Sequence, residues 1–137
     1  MKVVLDEDAY MPERAHELDA GYDLRTPERV VLHRHDSVVI NTGVHMEIPQ
    51  GWFGKLESKS GLNTKHGVVS CGGVIDSGFT GTILVKLYNL SDTDYIFEKG
   101  DKVVQIVFIP CGNFEMVPAD HLDETERGNN GYGSTGR

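Results

Sequence analysis

Three short stretches of the chain combine small residues with one or two polar groups, the way ligand sites are commonly built at strand ends. The richest is Cys71-Gly-Gly-Val-Ile-Asp-Ser-Gly-Phe-Thr-Gly81, a glycine-rich hairpin holding one carboxylate, Asp76, and one ring, Phe79. Glycines beside a strand let a flat ligand approach, and their exposed N–H and C=O groups can pair with a pyrimidine edge. Asp76 reads equally well as a plain turn residue. In Glu57-Ser-Lys-Ser-Gly-Leu62, Ser60 and the N–H groups around Gly61 open a short helical turn. Such an end attracts phosphate through its unpaired donors and its dipole, and its plain alternative is an ordinary serine cap. In Asp19-Ala-Gly-Tyr-Asp-Leu24 the turn residue Asp23 is the candidate, and an aspartate there commonly bonds its own backbone.

The last stretch, from Arg127 to Arg137, is glycine-rich and cannot bury a core, so it is expected to be mobile when unliganded. A bare linker would look similar. Its content nevertheless suits a phosphate lid. Arg127 offers a bidentate fork and glycines such as Gly133 expose backbone N–H groups. Ser134 and Thr135 add hydroxyls, and Tyr132 can stack on a base for roughly 1–3 kcal/mol.

The elements that must position these residues read as strands. The chain has 137 residues, 16 of them glycine, and the glycines punctuate short apolar runs about ten residues apart while helical periodicity is nearly absent. The runs expected to be strands are 1–5, 22–25, 29–33, 37–41, 44–48, 52–57, 68–71, 82–90 and 102–110, with weaker ones at 94–97 and 113–117. One helical turn is expected at 61–65. This spacing favours a sandwich, jelly roll or barrel. Lys102 to Ile109 is apolar on both faces except for Gln105, so it should be covered on both sides, with a second subunit as one cover. Gln105 itself must find a partner, in a ligand or in a neighbouring subunit.

Composition excludes several classes of function. A formal net charge of −8, with no basic run, argues against non-specific binding to nucleic acid. No apolar run nears the ~20 residues that cross a bilayer, and no signal-like stretch opens the chain, so a cytoplasmic protein without membrane contact is expected. Cys71 and Cys111 are too few and too far apart for a disulfide scaffold or a metal knuckle, and are read as reduced and structural. His33 and His35 would share one face of a strand, where a solvated surface is favoured over a metal pair.

Taken together, Ala20-Gly-Tyr-Asp-Leu24, Ser58-Lys-Ser-Gly61, Gly73-Val-Ile-Asp-Ser-Gly-Phe-Thr-Gly81, Gly100-Asp-Lys-Val-Val-Gln105 and the tail from Arg127 to Gly136 stand in the order of the five motifs of the homotrimeric dUTPases. The chain resembles that family from residue 20 to residue 136. The resemblance implies an all-β fold, a distorted jelly roll or β-clip of about ten short strands with one helical turn. It divides the chain into a domain over 1–126 and a mobile arm over 127–137 that closes on the site.

The resemblance also implies roles. Asp76 is the general base that activates water for in-line attack on the α-phosphorus of dUTP, giving dUMP and pyrophosphate. Phe79 lies against the deoxyribose, and the backbone of Gly73 and Val74 reads uracil. Lys59, Ser60, Gly61 and Gln105 hold phosphates, Arg127 reaches the γ-phosphate, and Tyr132, with Gly133 and Ser134 beside it, closes over the base. Mg²⁺ is implied on the triphosphate, with Asp23 acting through a bound water. A homotrimer is implied as well, each site drawing its hairpin, its phosphate motifs and its tail from different subunits.

Two positions depart from the family pattern. Lys59 stands where arginine is usual, keeping the charge and losing the planar fork. Phe79 stands where tyrosine is usual, keeping the ring and losing a hydroxyl. The related dCTP deaminases share the hairpin pattern, but their deaminating glutamate falls where this chain has Lys86. A nucleotide-binding or regulatory protein without catalysis is the remaining alternative.

Overall fold

The computed structural model describes residues 1–131. It contains eleven strands and one helix: β1 (Val3–Leu5), β2 (Gly21–Arg25), β3 (Val30–Leu32), β4 (Ser37–Asn41), β5 (Val44–Met46), β6 (Trp52–Glu57), α1 (Ser60–His66), β7 (Val68–Ser70), β8 (Val74–Asp76), β9 (Leu84–Asn89), β10 (Tyr95–Phe97) and β11 (Lys102–Pro110). All pairings are antiparallel, in four sheets ordered β1-β5, β10-β3, β2-β11-β6-β8 and β4-β9-β7. Among the described residues no helix is long and apolar enough to cross a membrane.

Period-2 patterning explains why these segments pair as they do. In β9, Val85, Leu87 and Asn89 are buried while Leu84 and Tyr88 face outward. Buried Asn89 is fully engaged: its Nδ2 donates to the carbonyls of Leu32 (3.2 Å) and Thr93 (2.8 Å), and its Oδ1 accepts from Ser91 N–H (3.0 Å). Leu24, Leu56, Val85, Leu87, Phe97, Val103, Val104 and Ile106 belong to one apolar core. Each such side chain contributes about 1.5–3 kcal/mol on burial.

The expected strand at 113–117 is absent. This stretch makes no ladder with any described residue, and Phe114, Met116 and Val117 are exposed. Strand propensity without a partner in the same chain leaves an extended surface segment. Conversely, β8 went unread because it is only three residues long and is framed by glycines. The double cover expected for β11 is half supplied: Val103, Val104 and Ile106 are fully buried, whereas Val107, Phe108 and Ile109 remain partly exposed. Cys71 and Cys111 are free and exposed, so neither packs the core as a structural cysteine. His33 and His35 bind separate aspartates, Asp94 at 3.0 Å and Asp92 at 2.9 Å, on a solvated face.

Candidate active site

The sheet β2-β11-β6 brings three of the sequence stretches together. Gln105, in the middle of β11, lies opposite Asp23 on β2 and Glu57 on β6. Its amide packs against Gly21, where any side chain would collide with it, and its Nε2 donates to the Ser58 carbonyl at 3.3 Å. The partner this glutamine needs is therefore found within the chain, in the main chain of the segment that follows β6, and not only in a ligand or another subunit.

Lys102 was missed in the sequence, and a β-bulge explains why. The register with β2 slips between Lys102 and Val104, so that Lys102 opposes Arg25 and Val104 opposes Leu24. One extra residue lets Val103 and Val104, consecutive in sequence, both enter the core. It also returns Lys102 to the face carrying Gln105, three residues on, which an unbroken alternation would place on the other side.

The result is a charged cluster around Asp23, which is only 4% exposed. One carboxylate oxygen pairs with Lys59 Nζ and the other with Lys102 Nζ at 2.6 Å. Burial pushes the Asp23 carboxyl up, but hydrogen bonds from Lys102 and Lys59, and the charges of both, outweigh it and hold the group below its ordinary value. Two ammonium groups on one carboxylate leave a surplus positive charge, and both lysines keep part of their side chains exposed. That surplus suits an anion.

Ser58 to Gly61 lies beside this cluster. Ser58 Oγ accepts from Ser70 N–H (2.8 Å) and donates to the Ser70 carbonyl (3.3 Å), fixing the entry to α1. Lys59 takes the N-cap position in extended conformation with no side-chain cap, so Ser60 is not an ordinary serine cap but the first helical residue. Its side chain and Gly61 are exposed. The helix ends at Gly67, whose left-handed φ of 65° places its N–H on the Asn63 carbonyl.

The second half of the site is the hairpin around β8. Gly73 has φ 103° and a Cβ there would come within 2.7 Å of Leu56, so only glycine fits. Its carbonyl accepts from Leu56 N–H at 2.8 Å, which docks the hairpin on β6. Val74 and Asp76 point outward on either side of buried Ile75. Asp76 ends the strand with its side chain exposed, opposite Phe53. In the following loop the Phe79 ring folds back over Gly81, where an added methyl would stand 2.7 Å from it.

β6 connects the two halves and also keeps them apart. Asp76 pairs with Phe53 near one end of the strand, while Glu57 at the other end leads into Lys59. Four residue steps of strand run from Phe53 to Glu57, about 13 Å at ~3.3 Å per residue. Gly73, by contrast, sits at Leu56, close to Ser58. Thus Asp23, Lys59, Ser60, Gly61 and Gln105 form one group, Gly73, Val74, Asp76 and Phe79 another. Arg127 belongs to neither. It is exposed in a turn where its Nε donates to the Asn130 carbonyl at 2.9 Å. Tyr132, Gly133 and Ser134 lie outside the described residues. Among the described residues no three His, Cys, Asp or Glu side chains are placed to hold a metal ion.

Comparison with known proteins bears directly on this arrangement. The family model described as dUTPase matches residues 7–136. A deoxyuridine 5'-triphosphate nucleotidohydrolase of Debaryomyces hansenii is 35% identical over 133 residues, covering 96% of this chain and 83% of its own. One from Paramecium bursaria Chlorella virus 1 is 36% identical over 132 residues, covering 96% and 94%. Among solved structures, the dUTPase of Staphylococcus bacteriophage 80alpha with dUPNHPP superposes with a TM-score of 0.93 at 32% identity, over 99% of this chain and 98% of that one. A mutant dUTPase from phage phi11 of S. aureus, described with a structural Mg(II) ion, gives 0.83 at 31% identity over 90% and 98%.

Proposed function

The chain belongs to the dUTPase family, with the jelly-roll or β-clip fold of that family, and hydrolyses dUTP; from that premise we propose which of its residues perform the reaction. Asp76 takes a proton from a water molecule as the water oxygen attacks the α-phosphorus. The bond between that phosphorus and the oxygen bridging to the β-phosphate breaks in line, and pyrophosphate leaves with the bond's electron pair. A carboxylate suits this role because it is ionised near neutral pH and accepts the proton as the nucleophile forms. The exposed position of Asp76 at a strand end supports the reading.

Lys59, Ser60, Gly61 and Gln105 hold the phosphates, with Lys102 added to the set. The surplus positive charge around Asp23 is what an anionic chain of phosphates would meet there. Gly73 and Val74 offer backbone to uracil, and Phe79 lies along the deoxyribose, where a 2′-hydroxyl would crowd it. Arg127 and the arm that follows, with Tyr132, Gly133 and Ser134, close over the base and the γ-phosphate.

Mg²⁺ neutralises charge on the triphosphate when bound. Among the described residues no three His, Cys, Asp or Glu side chains cluster to hold it, so phosphate oxygens and water would supply most of its ligands. Each Asp23 oxygen already accepts from a lysine, so this residue serves chiefly to position Lys59 and Lys102 and meets an ion only through water.

One observation carries the quaternary reading. Asp76 pairs near one end of β6 and Lys59 follows its other end, a separation that favours a site taking its hairpin from one copy and its phosphate groups from another. A homotrimer satisfies this and covers the half-exposed Val107 to Ile109. Two free, exposed cysteines fit a reducing compartment such as the cytoplasm.

The test is release of pyrophosphate and of ammonia by the purified protein with Mg²⁺ and each of dUTP, dCTP, dTTP and UTP. Pyrophosphate from dUTP alone is expected. Ammonia from dCTP would overturn the reading, and with it the argument from Lys86.

A further inference from the structure

His45 on β5 stands beside a surface cavity of about 450 Å³ that also touches Asp6 and Thr80. Its Nδ1 is 2.9 Å from the Thr80 carbonyl and its Nε2 is 3.3 Å from Asp6 Oδ1. Val4, two residues before Asp6, pairs with His45 across β1 and β5, so the ring and the Asp6 carboxylate share one face of that ladder. Asp6 is itself anchored, its N–H donating to the Gly43 carbonyl at 2.8 Å.

Thr80 lies between Phe79 and Gly81, the residue on which the Phe79 ring rests. Downstream, the loop is pinned by the Ile83 N–H on the Val44 carbonyl (2.9 Å) and by Thr82 Oγ1 on Asn41 Oδ1 (2.6 Å). His45 extends that pinning to the peptide beneath the ring. Both of its partners, a carbonyl and a carboxylate, only accept hydrogen bonds. A ring protonated at Nδ1 donates to the Thr80 carbonyl.

We propose that His45 is a positioning residue for nucleotide selectivity: held by Asp6, it fixes the Thr80–Gly81 peptide under Phe79. The inference rests on the assignment of Phe79 to the sugar. Besides Asp6, the charged groups facing the same cavity are Lys2 and Glu47, which pair with each other at 3.0 Å.

The experiment measures kcat and KM for dUTP and UTP in the wild type, Phe79→Ala, His45→Ala and His45→Gln. Taking the ratio of the two substrates cancels effects common to both. Phe79→Ala is expected to narrow the preference for dUTP. His45→Ala should narrow it about fivefold, the loss of one ordinary hydrogen bond, mainly through KM, with kcat little changed. His45→Gln, whose amide still donates to Thr80, should recover most of the preference. Phe79→Ala narrowing the preference while His45→Ala leaves it intact would overturn the proposal. Unchanged selectivity in Phe79→Ala would instead refute the sugar assignment itself, and the proposal with it.

Discussion

Lys59 at the start of α1 and Asp23 on β2, 36 residues apart in sequence, form an ion pair that ties the phosphate-binding turn to the central sheet. Lys102 completes the cluster through the second carboxylate oxygen. A buried aspartate is tolerated here because two cations solvate it, and removing it strands both.

Asp23→Asn should therefore cost about 2 kcal/mol at neutral pH, the range of a charge-assisted hydrogen bond. The folded-state value of Asp23 is depressed, so its contribution is complete above the ordinary carboxylate value of about 4 and is lost as pH falls through the lower folded value. Urea denaturation of both proteins at neutral and at acid pH checks this. The gap between them should shrink toward acid; a gap independent of pH would contradict the ion-pair account.

Substitution of Lys59 separates charge from geometry. Lys59→Arg keeps a cation against Asp23 and should retain turnover, with a guanidinium fork that can serve Asp23 and phosphate together. Lys59→Ala should lower kcat/KM by at least about tenfold, as for the loss of one hydrogen bond to a charged group. Steady-state kinetics on the two variants decides between a phosphate contact and a merely structural lysine, for which alanine would leave KM unchanged.

Asp76→Asn removes the proton acceptor and little volume. Turnover should fall by about 10²–10⁴-fold, the usual contribution of a general base. Calorimetry with the analogue dUPNHPP should find affinity within a few-fold of wild type. Near-normal turnover would mean that another group activates the water.

Deleting residues 127–137 tests the division into domain and arm. The described part of this stretch lies on the surface, outside every strand and the core. Turnover should be lost while the melting temperature stays within about 2 °C of the intact chain. A truncated protein that loses its assembly or its stability would show the arm to be structural.

Most of this architecture was legible in the sequence because strands here obey simple alternation. Leu84 to Asn89, Ser37 to Asn41 and Trp52 to Glu57 read correctly from their apolar patterns and bounding turns. Pairing was not legible. Nothing local shows that Val103 and Val104 both turn inward, since that depends on a bulge against β2, and so Lys102 could not be placed beside Asp23. Residues 113–117 failed for the complementary reason: apolar character without a partner strand forms no ladder. His45 gave no local signal either, because its role arises only where β5 meets the loop after Asp76.

The division of the site between copies is the central claim, and subunit mixing tests it most directly. Asp76→Asn chains and chains lacking residues 127–137, each inactive alone, are co-expressed in equal amounts and the mixed assemblies are purified and assayed with dUTP. If hairpin and arm in each site come from different copies of a closed, randomly mixed ring, both are intact in about a quarter of the sites, and about a quarter of wild-type activity should return. No recovery at all would contradict the claim, because it would mean that each chain closes its own arm over its own Asp76.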